Sequence, residues 1–61
     1  MNYYDIKRYG LILAVQAEID GMKAENQQRE HLGQSMAYTD ADFHNKAEEL
    51  RVISFCHNEQ L

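Results

Sequence analysis

The side chains able to do chemistry fall late in this chain: His31, Asp40, His44, Glu48, Glu49, Cys56 and His57. Asp40 and His44 stand at i and i+4, so on a helix they share a face and offer two ligands to a metal. A zinc centre takes three or four. His31, His44 and His57 recur every thirteen residues, a spacing that no zinc pattern requires. Cys56 beside His57 suggests a thiolate and its base. Neighbours on a helix point about 100° apart, however, and no third orienting group or oxyanion motif accompanies them. Cys56 then reads as a small, partly buried apolar residue. The histidines read as surface or interface groups. Glu48 and Glu49 diverge in the same way and read as a solvated face, with Glu48 in reach of Arg51. The paired carboxylates of a glycosidase flank a cleft, and two helices offer none. The expectation is a non-enzyme with no metal and no cofactor.

The elements that would carry these residues are helical. The chain has 61 residues, no proline and three glycines, so little interrupts it. It is rich in the helix formers Ala, Glu, Gln, Leu and Lys. Asn2 is a plausible N-cap for a first helix over about 3–32, with Asp5 in its first turn. Gly33 reads as its stop, because glycine takes the left-handed conformation that ends helices. Gly10 and Gly21 lie inside that helix, where each costs up to about 1 kcal/mol relative to alanine. They allow close approach of another helix or are tolerated weak points.

The stretch "YTDADF" carries the sharpest local signal. Thr39 reads as an N-cap, and Asp42 can reach back to its N–H in a variant capping box. Tyr38 and Phe43 sit where a hydrophobic staple would close. A second helix over about 40–57 follows, its "VISF" end prone to fray. The connection 33–39 is short enough to fold the helices back antiparallel. One domain over 1–61 is all that this length permits.

The apolar residues of the first helix do not keep to one side. Tyr4, Leu11, Ile12, Val15, Ile19 and Met22 fall within an arc of about 100°. Ile12, Val15, Ile19 and Met22 have the 3-4-3 spacing of a coiled-coil seam. Asn26 continues the series. It reads as a seam opening to solvent, as Arg29 after it suggests, or as a buried polar residue that sets register. Ile6, Tyr9, Leu13, Ala17 and Ala24 lie on the opposite side. The second helix offers Phe43, Ala47, Leu50, Ser54 and Leu61 on one face, with Ile53 at its edge, while Val52 and Phe55 point elsewhere. One face can cover only one stripe. A large aliphatic side chain left in water forgoes roughly 1.5–3 kcal/mol, and a contiguous exposed apolar patch marks an interface. The expected fold is therefore all-α, an antiparallel helical hairpin that dimerises into a four-helix bundle. Tyr4, Leu11, Ile12, Val15, Ile19, Met22, Val52 and Phe55 form the expected dimer interface.

Composition narrows the partners. Ten acidic against six basic residues give a net charge of −4, which disfavours binding to a phosphate backbone. The alternative is a helix-turn-helix-like regulator of nucleic acid. Its second helix would present Asp40, Ala41, Asp42 and Phe43 to the groove, and the aspartates would meet phosphates. Lys7 and Arg8 are the only adjacent basic pair. The longest apolar run, Leu11 to Val15, is far short of the ~20 residues that span a bilayer, so no membrane role is expected. A single cysteine and no signal-peptide pattern fit the cytoplasm.

The opening "MNYYDIKRYG" on a short acidic helical chain resembles the small accessory proteins encoded in the early region of lambdoid phages, between the exonuclease and excisionase genes. That resemblance implies a cytoplasmic, all-helical, dimeric protein in the host cell. It implies an influence on the lytic or lysogenic outcome, or on host physiology, through an unidentified host protein partner. No functional residues carry over, because the resemblance contains no catalytic or ligand motif.

Overall fold

A computed structural model describes residues 2–61. The first helix, α1, spans Tyr3–His31. The Asn2 side chain accepts from the Asp5 N–H at 2.9 Å, the N-cap bond that the sequence suggests. At the other end Gly33 has φ +72°. Its N–H donates to the Glu30 carbonyl at 3.1 Å, and the Gln34 N–H donates to the Arg29 carbonyl at 2.8 Å. These are the two bonds of a Schellman motif, and they occupy carbonyls that the helix end leaves open.

The second helix, α2, spans Asp40–Phe55. The Asp42 carboxylate accepts from the Thr39 N–H at 2.9 Å, as the capping box requires. Tyr38 and Phe43 are both half-buried and line one surface cleft, where the staple was expected. The helix stops two residues short of the expected 57. Cys56 turns to extended backbone, φ −71° and ψ 159°, and a short 3-10 turn over Asn58–Gln60 follows. The reason lies on α1, in the side chain of Arg8. Its Nε donates to the Ile53 carbonyl at 2.9 Å. One terminal nitrogen donates to the Cys56 carbonyl at 2.7 Å and to Asn58 Oδ1 at 3.1 Å. A guanidinium is thus seated on the negative end of α2, holding carbonyls that a longer helix would have used itself.

Three bridges set the two helices antiparallel: Arg8 to Ile53 and Cys56, Glu18 to Lys46, and Asn26 to Tyr38. Asn26 does not open to solvent. It is half-buried, its Nδ2 donates to the Tyr38 carbonyl at 2.9 Å, and its Oδ1 accepts from the Tyr38 N–H at 3.0 Å. The side-chain amide imitates a strand neighbour and pins the connection where it turns into α2.

The stripe that α2 covers is Leu11, Ile12, Val15, Ile19 and Met22. Val15 and Met22 are 7% exposed and are the buried hydrophobics among the described residues; Leu11, Ile12 and Ile19 are half-buried. From α2 come Phe43, Ala47, Leu50 and Ile53, all half-buried, with Leu61 beyond it. Ser54, expected on this face, is exposed and its hydroxyl bonds its own helix at the Leu50 carbonyl, 2.7 Å away. Two helices side by side make a slab of 47 × 19 × 10 Å, one helix thick. Its radius of gyration is 14.6 Å, against about 10.5 Å for a compact domain of this length.

Candidate interaction surface

The residues with chemical potential are not assembled. Asp40 and His44 are exposed, and among the described residues no three His, Cys, Asp or Glu side chains group as metal ligands. Cys56 is half-buried with its Sγ 3.6 Å from the Ile53 carbonyl in the last turn of α2. The His57 N–H donates to Gln60 Oε1 at 3.2 Å. Glu48 and Glu49 separate as the helix dictates, Glu48 to Arg51 at 2.8 Å and Glu49 to Lys46 at 3.0 Å. Lys46 also reaches Glu18 of α1 at 2.7 Å. The Glu18 carboxylate first, and Glu49 second, hold the Lys46 ammonium above its ordinary range.

What the slab does present is apolar surface. Ile6, Tyr9 and Leu13 on α1 are 58%, 56% and 50% exposed. All three lie on the side of the helix opposite Val15 and Met22, so α2 cannot reach them. Tyr3 and Tyr4 in the first turn of α1 are exposed too, their rings edge to face with centroids 5.4 Å apart. On α2 Val52 is exposed and Phe55 is 86% exposed. Arg8 ties this part of α1 to the end of α2, so these side chains gather at the open end of the hairpin. A shallow cleft of about 410 Å³ beside Val52 is rimmed by Asn45, Glu48 and Glu49.

The expected interface residues therefore divide. Leu11, Ile12, Val15, Ile19 and Met22 sit against α2 of the same chain, whereas Tyr4, Val52 and Phe55 stand outside. A helical wheel shows two stripes on α1 and cannot choose between them. Arg8, bonded to the end of α2, and Asn26, bonded to the connection before it, lie on the same side of α1 as Val15 and Met22, and that side faces inward. Only a partner at long sequence separation shows those polar groups to be positioning residues. No helix among the described residues is long and apolar enough to cross a membrane. No protein-family model, no curated protein and no solved structure matches this chain.

Proposed function

We propose that the chain is a non-catalytic helical module that acts by protein–protein contact, with two hairpins joining into a dimeric four-helix bundle. The observation that carries this reading is the single-layer hairpin, with Ile6, Tyr9, Leu13, Val52 and Phe55 left in solvent. Stable domains cover such surface with a second packed layer, and here a second molecule supplies it. A closed two-fold pairing is the simplest form that leaves no open end. The resemblance to lambdoid early-region accessory proteins, if it holds, implies a host protein as a further partner and an action in the host cytoplasm.

Analytical ultracentrifugation at micromolar concentration tests the reading. The expected result is a species of twice the 7.1 kDa chain. A single monomeric boundary across that range overturns it.

A further inference from the structure

We propose that the outer face of α1, turned away from α2, is the seam between two copies of this chain, and that they pair on it antiparallel about a two-fold axis level with residue 15. The inference rests on the self-association reading and specifies its face and direction. Tyr9, Leu13, Ala17 and Gly21 form one i, i+4 ridge on that face, flanked by Ile6 and Ala24. All six are exposed. The ridge is graded: its first half is bulky and its second half is small. Antiparallel docking sets Tyr9 level with the partner's Gly21, Leu13 with the partner's Ala17 and Ile6 with the partner's Ala24. Each pair is centred on the same level, so one register serves all three. Parallel docking would set bulk on bulk at one end and leave a gap at the other.

Three further observations agree. A Cβ on Gly21 would meet no atom of this chain within 4 Å, so nothing inside the hairpin uses the missing side chain. Asp5, Lys7 and Lys23 form no ion pair among the described residues, and Glu25 pairs only with Arg29, one turn along the same helix. The antiparallel register brings Lys7 beside the partner's Glu25 on one flank and Asp5 beside the partner's Lys23 on the other. Parallel docking also pairs opposite charges, Lys7 with the partner's Asp5 and Glu25 with the partner's Lys23, so the charges fit the seam and the graded ridge sets its direction. Asp20, the one charge on the face, lies toward its Asp5–Lys23 edge at the level of the partner's Gly10. The exposed area also fits. The hairpin exposes 4779 Å², about 700 Å² more than a compact monomer of its mass, and a stable interface takes about 800 Å² from each partner. Val52 and Phe55 stay outside this seam, free for a different protein.

Cysteine trapping in a Cys56→Ser background tests the proposal, with sedimentation of the reduced proteins run beside it. Ile6 and Ala24 are about 27 Å apart along α1, too far to bridge within one chain. The Ile6→Cys/Ala24→Cys double variant is expected to close into a covalent dimer on mild oxidation, while each single variant does not. Cross-linking of the Ile6→Cys single variant would mean parallel docking and overturn the proposal. A reduced dimer in which the double variant fails to cross-link means that another face is used, which overturns this seam and leaves self-association standing. A monomer in the reduced Cys56→Ser protein removes both. Independently, Gly21→Leu is expected to weaken the dimer about tenfold or more by overfilling the seam, while helicity is kept or raised. Unchanged dimer affinity would overturn the register.

Discussion

Arg8 and Asn26 are the residues on which the hairpin turns. Arg8 delivers three bonds to the last turn of α2 and the segment after it. Hydrogen bonds from a charged group contribute roughly 1.5–3 kcal/mol where the group is shielded; Arg8 is half-exposed, so the lower end applies. Arg8→Ala is expected to cost about 1–2 kcal/mol in urea denaturation and to speed amide exchange over residues 52–60. Arg8→Lys should not restore it, because an ammonium cannot fork between carbonyls. Asn26→Leu keeps the apolar stripe but leaves the Tyr38 N–H and carbonyl unpaired. A loss of about 1–3 kcal/mol is expected, again from urea midpoints; a neutral outcome would show that water replaces the amide there.

The two helices end for different reasons. The stop of α1 is local: Gly33 at φ +72° permits the two terminal bonds to Glu30 and Arg29. A Cβ there has open space around it, so the strain of Gly33→Ala is purely in the backbone. That substitution is expected to lower stability by about 1 kcal/mol, read as a shift in thermal midpoint. The start of α2 is equally local, since Thr39 and Asp42 close their bond across one turn. The end of α2 is not. Cys56 leaves the helix where Arg8 takes over its carbonyl, and no residue near Cys56 announces that. Stops written in capping chemistry were legible in the residues; the stop imposed from the other helix was not.

For the molecule as a whole, the thin slab leaves the two helices joined by few contacts besides the Val15–Met22 stripe. The Lys46–Glu18 pair is one of them, between a half-buried lysine and an exposed carboxylate. Because the folded-state ammonium is held above its unfolded value, its contribution is complete below the ordinary lysine pKa of about 10.4. It is lost as pH rises through the folded value, which lies higher. The expected observation is a contribution of this pair to the thermal midpoint that is constant at neutral to mildly basic pH and falls in the alkaline range. Lys46→Met should flatten that alkaline fall. Salt should weaken the pair as well, since its carboxylates are open to solvent.

The amino-acid sequence by itself determined the helical class, both N-caps, the Gly33 stop and the presence of apolar stripes on two sides of α1. All of these follow from interactions within about one turn or from periodicity along one helix. The tertiary structure alone decided which stripe α2 covers, why α2 ends at Phe55 and what Asn26 does. Each of those depends on groups 12 to 50 residues apart meeting in space, and a pattern read along one helix contains no term for the rotation of that helix against another.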